Sequence, residues 1–309
     1  NDTFKAIVEQ KDCNSEQAKV REINSGIYWF KAEKLSGLLD KLGNNNAAGE
    51  YYLTDTVAVA EKKGVYTADS TDVVLGANSR SQLAALNEVA RKRKLAELMD
   101  EGVDIPLSDG IIIGKDVKIG HDTVILPNTI IKGKTVIGNG CEIGPNSYIA
   151  DCVIEDNVIL NNVQAHESKV DSCAKAGPFV HLRPNTHLHS GVKIGDFVEV
   201  KNSEIGINTC IAHLTYIGDS DVGKGVNFGC GCVTANYDGI KKYRTTIGDN
   251  AFIGCNTNMI APVTIGDNAT TAAGSTITKN VPADSLAVER GQTRIIEHWE
   301  KNSKRIKKA

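Results

Sequence analysis

A mostly-β parallel β-helix is the fold this sequence predicts for the larger part of its length, and three observations carry that prediction. Isoleucine stands at 113, 119, 125, 131, 137, 143 and 149, seven in succession at a spacing of six. Glycine commonly follows the aliphatic position, as at Gly114, Gly120, Gly138 and Gly144, and Asn or Asp falls near the corners. Aromatics make up only 5% of the chain while glycines number 29, so bulk comes from aliphatic and β-branched side chains in short strands joined by tight turns. Each strand then buries one inward residue per hexad, and Gly, Asn and Asp, which tolerate left-handed backbone, turn the chain between flat faces. A helical period of about 3.6 does not fit a spacing of six.

The elements follow in order. The hexad slips by one residue and resumes through Ile154 and Leu160, then Val170, Ala176, Leu182, Leu188, Ile194 and Val200. Further slips lead to Ile205, Ile211 and Ile217, to Val222, Phe228 and Thr234, and finally to the series Ile247, Ile253, Met259, Ile265, Thr271 and Ile277. Three hexads to a coil give roughly nine or ten coils between 111 and 281, a stack with one continuous core. Residues 235–246 break the register with a polar, basic insertion that the coil cannot absorb, which predicts an extruded loop of the kind that carries function. Residues 79–101 read as one helix, with Leu83, Leu86, Ala90 and Leu98 near helical spacing and Gly102 just past its end. Ahead of it, 1–78 alternates short apolar strands (4–8 and 26–30) with helix-like pieces (32–42 and 54–63), a mixed α/β segment with little core of its own. The expected divisions are 1–78, a linker helix at 79–105, the β-helix at 106–285 and a basic tail at 286–309. From 281 onward seven Lys/Arg stand against four Asp/Glu, consistent with a solvated end.

Composition excludes several classes. With 41% hydrophobic residues, 24% charged and a net charge of −3, the chain is neither disordered nor a nucleic-acid binder by charge. Its longest apolar runs fall far short of the roughly 20 residues a membrane helix needs, so no span is expected. It begins without Met and without a signal segment, and is expected to be a piece of something longer. Eight cysteines without any CxxC predict reduced thiols and a cytoplasmic location, with Cys230 and Cys232 as small fillers and not a disulfide or metal pair.

Five segments, Gly-Glu-Tyr-Tyr-Leu-Thr-Asp (49–55), Leu-Arg-Pro (182–184), Val-Glu-Val-Lys-Asn (198–202), Ala-His-Leu-Thr-Tyr-Ile-Gly-Asp (212–219) and Ala-Asn-Tyr-Asp-Gly (235–239), in this order, carry a resemblance. They resemble the bacterial bifunctional enzymes that are both glucosamine-1-phosphate N-acetyltransferase and N-acetylglucosamine-1-phosphate uridylyltransferase, and the likeness covers nearly the whole chain. It implies a left-handed coil, a partial Rossmann-like nucleotidyltransferase segment in 1–78, a cytoplasmic homotrimer, and a role in making UDP-N-acetylglucosamine for peptidoglycan. The glycine-rich phosphate loop, the lysine and the magnesium-holding aspartate of the uridylyltransferase half have no counterpart in 1–78. By resemblance Glu9, Asn24 and Asn78 match uridine-nucleotide positions, Asn78 also a Mg²⁺ ligand. One amide oxygen cannot hold Mg²⁺, which binds through carboxylates, phosphates and retained waters, so this chain is expected to lack uridylyl transfer from UTP.

Acetyl transfer needs a base, donors for an oxyanion, and groups that fix a sugar phosphate and acetyl-CoA. His213, two residues past the inward Ile211, matches the family's general base. Glu199, one coil earlier, is a candidate to orient its ring, with a surface carboxylate as the alternative. Arg183 and Lys201, 18 apart, predict a stacked phosphate clamp. Tyr216 and Asn227 match the other sugar-phosphate positions, and Cys230, Asn236, Tyr237, Cys255, Ala273 and Arg290 match acetyl-CoA positions. Cys230 and Cys255 stand where alanine and serine are commoner; Cys230 is expected to act through its backbone N–H, and not as a nucleophile. Lys242 and Arg290 are expected to meet coenzyme A phosphates across a subunit boundary. His181, His187 and His189 are not expected to form a metal centre, because positions six apart lie on different faces and no carboxylate company is evident. Two competing readings are a nucleotidyltransferase whose β-helix only trimerises it, and a noncatalytic scaffold. The loop at 235–246 argues against the scaffold.

Overall fold

The computed structural model describes Phe4 and residues 6–299, the side chain of Val73 excepted, so the tail from 300 to 309 lies outside the described residues. The chain divides into two compact units, 1–90 and 91–309.

Before residue 80 the described residues of the first unit form only short helices, α1 (Ala32–Leu39) and α2 (Asp55–Val59), besides single 3-10 turns. The strands expected at 4–8 and 26–30 are not present among the described residues, a correction to the mixed α/β reading. A strand needs a neighbour to take up its N–H and C=O groups, and none is available among the described residues of this unit. Burial agrees: Trp29 is fully exposed and Ile27 and Tyr66 nearly so, while Thr54 and Thr56 are the only buried residues described there.

The linker helix is α3 (Arg80–Asp100), one residue shorter at each end than predicted. The boundary between units falls inside it, not before it, because its second half belongs to the β-helix. Leu95 and Leu98 join the same buried cluster as Ile111 and Ile113, and the Arg91 guanidinium donates to the Ser108 carbonyl at 3.0 Å.

From Ile112 on, strands of two to four residues stack into three parallel sheets of ten, nine and ten strands, one per face of the coil. Face 1 begins with Ile112–Ile113, face 2 with Lys118–Ile119 and face 3 with Val124–Ile125. Register follows the hexads: Ile113 pairs with Ile131 and Ile131 with Ile149, while Ile119 pairs with Ile137. Inward residues such as Ile125, Ile143, Leu182, Ile205 and Ile211 are fully buried, and each adds about 1.5–3 kcal/mol of burial. Buried corner hydroxyls close the backbone's open bonds, as where Thr123 donates to the Gly138 carbonyl at 2.8 Å and accepts from the Cys141 N–H at 3.1 Å.

Left-handed backbone marks the corners. Along the corner from face 3 to face 1, Asn128, Asn146, Asn162, Asn256 and the glycines 231 and 274 hold positive φ. In the same column stand Phe179 (φ 58°), Phe197 (φ 58°) and Leu214 (φ 47°), residue types for which that conformation costs about 1–2 kcal/mol each. Such strain clusters at functional sites, and this column runs beside His213.

Candidate active site

Two corners at opposite ends of face 1 collect the sequence-predicted residues. The first, between faces 3 and 1, is a ladder of turns from successive coils. His213 ends strand Cys210–His213, and its carbonyl accepts the Gly231 N–H at 3.3 Å. The Cys230 carbonyl accepts the Asn256 N–H at 2.8 Å, the Cys255 carbonyl accepts the Gly274 N–H at 2.8 Å, and Arg290 Nη1 donates to the Ala273 carbonyl at 2.9 Å. Cys230, Cys255, Ala273 and Arg290 therefore line one column that begins at His213. A methyl added to Gly229 would come within 2.8 Å of Cys255 Sγ, so the turn lies flat on its neighbour. The His213 ring is exposed.

The second corner, between faces 1 and 2, is cationic. The pairing of Leu182 with Val200 continues to Arg183 above Lys201, and Lys201 pairs with Gly218 on the next coil. Across from Gly218 the extruded loop leaves the coil. It closes as a hairpin: the Asn236 carbonyl accepts the Tyr243 N–H at 2.9 Å, Tyr237 bridges Lys242, and Asp238 Oδ1 accepts the N–H groups of Ile240 and Lys241 at 2.8 Å each. Arg244 pins the return by donating to Asp221 Oδ2 at 2.9 Å and to the Ser220 carbonyl at 3.0 Å.

This hairpin returns Lys242 onto Lys201. The neighbouring ammonium, with partial burial, holds the Lys201 amine below the ordinary lysine range. Lys242 therefore stands beside Lys201, with Arg183 on the coil before. Beneath the clamp lies Asp219, missed in the sequence reading. Burial would raise its carboxyl, but donation from Asn202 and Asn236 and the nearby Lys201 charge, 3.9 Å away, outweigh that and hold it below the usual carboxylate range. Asn236 is thus buried as a support for Asp219, and the adjacent Tyr237 is exposed. The Tyr216 hydroxyl lies over Gly218 beside the Asn236 amide, which only a residue without a side chain at 218 permits.

Glu199 is in the middle of face 1, paired in register with Tyr216, and its carboxylate accepts from Arg183 Nη1 at 2.8 Å. It does not reach His213; the carboxylate residue in register with His213 is Asp196, one coil earlier, and the shortening of that coil conceals the match in the sequence. Asn227 sits on face 3, in register with Cys210, and is not brought to the clamp within one chain.

In the first unit, Glu9 accepts from Thr54 Oγ1 at 3.4 Å, Asn24 donates to the Tyr28 hydroxyl, and the Asn78 N–H donates to Gln82 at 2.7 Å. No hydrogen bond or ion pair links these three among the described residues, and the contact that Asn78 makes is its backbone N–H to Gln82. The residues present do not fit a Mg²⁺ site.

The histidines depart from expectation. His181 stays apart, near His166. His187 and His189, however, lie side by side with ring centroids 3.9 Å apart and planes tilted by 34°, and both have carboxylate company in Asp171 and Glu204 from the coils on either side. The expectation looked at the spacing within one coil, whereas the partners lie one coil away.

Residues 244–279 match the family described as bacterial transferase hexapeptide (six repeats). Over 96% of this chain, the Bifunctional protein GlmU of Acetivibrio thermocellus is 50% identical and that of Clostridium acetobutylicum 48% identical; the chain covers 65% and 66% of their lengths. The Bifunctional protein GlmU of Desulfitobacterium hafniense is 45% identical over 98% of this chain and 68% of its own length. The chain thus spans about two thirds of the length of the curated relatives it matches. No helix of the described residues is long and apolar enough to cross a membrane. On identity and coverage together, the chain belongs to the bifunctional GlmU family.

Proposed function

We propose that this chain transfers an acetyl group from acetyl-CoA to the amine of glucosamine-1-phosphate, giving N-acetylglucosamine-1-phosphate. The observation that carries the reading is the corner ladder, in which the exposed His213 heads the column of Cys230, Cys255, Ala273 and Arg290. The His213 ring takes the proton from the substrate amine as the nitrogen attacks the thioester carbon. The new C–N bond forms, the C–S bond breaks, and the departing thiolate recovers the proton. The Cys230 backbone N–H, one coil beyond His213, is the donor available to the developing oxyanion. Arg183, Lys201 and Lys242 neutralise the sugar phosphate, with Tyr216 between clamp and base. Ala273 and Arg290 hold the donor, the arginine against its phosphates.

The two corners are separated by the length of a face-1 strand, roughly 10 Å for three residues, and Asn227, Asn236 and Tyr237 do not meet the His213 column in one chain. A homotrimer supplies them from a neighbour. The exposed, strained ladder of Phe179 (54% exposed), Phe197 (58%) and Leu214 (60%) beside His213 supports that reading as an apolar seam. Monomeric mass by light scattering with activity intact would sink the trimer. The longer protein is read as also a Mg²⁺-dependent uridylyltransferase that converts the product to UDP-N-acetylglucosamine for peptidoglycan in the cytoplasm, and this chain alone is expected to form none from UTP.

The test is glucosamine-1-phosphate plus acetyl-CoA, with product followed by mass spectrometry. His213→Ala is expected to lose about 10²–10⁴ of the rate, the range for removing a general base. Full activity in that variant, or an acetylated Cys230 trapped by intact mass, overturns the direct-attack mechanism.

A further inference from the structure

The side chains on face 2 form a second cluster, on the same coils as Arg183 and Lys201 but around the corner from them. Lys169 pairs with His187 and His187 with Glu204, which makes one outward row; Asp171, just past Lys169, and His189, just past His187, begin the next. In that second row the following coil carries Gly206, which has no side chain, so Glu204 can lean across to both rings. His187 Nε2 lies 2.9 Å from Asp171 Oδ1 and His189 Nδ1 lies 3.3 Å from Asp171 Oδ2. The opposite nitrogens, His187 Nδ1 and His189 Nε2, each lie 3.0 Å from Glu204 Oε2.

Four ring nitrogens thus face two carboxylates. Neutral imidazoles carry one N–H each, so two of the four contacts set a nitrogen lone pair against a carboxylate oxygen. A divalent cation placed between the lone pairs and Asp171 would satisfy these acceptors together. If both N–H groups point to Glu204, the lone pairs of His187 Nε2 and His189 Nδ1 converge with Asp171, and these three residues offer ligand atoms all within 4.8 Å of one another. The N···O separations of 2.9 and 3.3 Å approximate the edge of a tetrahedron with bonds of about 2.0–2.1 Å. Glu204 then stands where carboxylates orient metal-binding imidazoles from behind. Formal charge agrees: Asp171, Glu204 and Glu155 carry three negative charges against one ammonium, that of Lys169, which is 2.9 Å from Asp171 and 3.7 Å from Glu155.

We propose that Asp171, His187 and His189 bind a divalent transition metal of the zinc class, with Glu204 orienting both imidazoles and a fourth position left for water or another ligand. The nitrogen-rich donor set selects zinc-class ions over Mg²⁺ or Ca²⁺. Bridging two successive coils, with Glu204 on a third, the ion clasps the stack.

The test uses the whole chain, stripped with chelator and titrated with Co²⁺ and Zn²⁺. One Co²⁺ per chain is expected, with visible d–d absorption of low coordination number and no near-ultraviolet sulfur-to-cobalt band. Zn²⁺ is expected to raise the melting temperature. H189Q and D171N should lose both signals, and E204Q should bind about 10–100-fold more weakly. Melting without metal checks that each variant folds. Binding equal in wild type and H189Q, a sulfur-to-cobalt band, or no Co²⁺ at stoichiometric loading would each overturn the proposal.

Discussion

Replacing Gly218 by alanine tests whether the clamp, Tyr216 and the hairpin act as one unit. A methyl there would lie 2.7 Å from Asn236 Nδ2 and nearer still to the Tyr216 hydroxyl, against an ordinary contact distance of about 3.5–4.0 Å. Both groups must therefore move by about 1 Å. Gly218 has no left-handed φ, so alanine itself is not strained, and the atoms it meets are side-chain ends instead of backbone. Moving Asn236 weakens its bond to the Asp219 carboxylate, worth about 1.5–3 kcal/mol for a charged partner. For a unit this size that corresponds to a fall of about 3–10 °C in melting temperature. Moving Tyr216 by about 1 Å is expected to lower kcat/KM for glucosamine-1-phosphate about a hundredfold. Gly114→Ala is the control, since its methyl would meet ordinary contacts at 3.5 Å, and it should change neither quantity. If Gly218→Ala melts lower but keeps kcat/KM within about twofold of wild type, Tyr216 and Asn236 do not serve the substrate site.

Two further outcomes follow from the cation cluster. Inorganic phosphate should raise the melting temperature by bridging Arg183, Lys201 and Lys242, an effect that fades with salt and disappears in R183M/K201M, as checked by scanning fluorimetry. Because the Asp219 carboxyl is held low in the folded chain, its contribution is full above the ordinary carboxylate range and is lost as pH falls through the lowered value; D219N should flatten that acid limb in melting-versus-pH curves.

The β-helix was legible from periodicity alone because every coil repeats the same local demand: one inward aliphatic side chain and a corner residue tolerant of positive φ. The 235–246 insertion was equally visible, as a break that a repeating core cannot hide. The stacking of Arg183 on Lys201 could be read because their spacing equals one regular coil. Asp196 under His213 could not, since that coil falls one short of three full hexads, and such a slip changes which side chains stack. The short strands expected within 1–78 could not be judged from their apolar runs, because pairing depends on a neighbour that local sequence does not specify. Only the tertiary structure brought Lys242 back onto Lys201, set Asp219 beneath them, and joined Asp171 and Glu204 to His187 and His189. Those contacts run between coils, perpendicular to the chain, where the chemistry of a site is decided by register and not by adjacency in sequence.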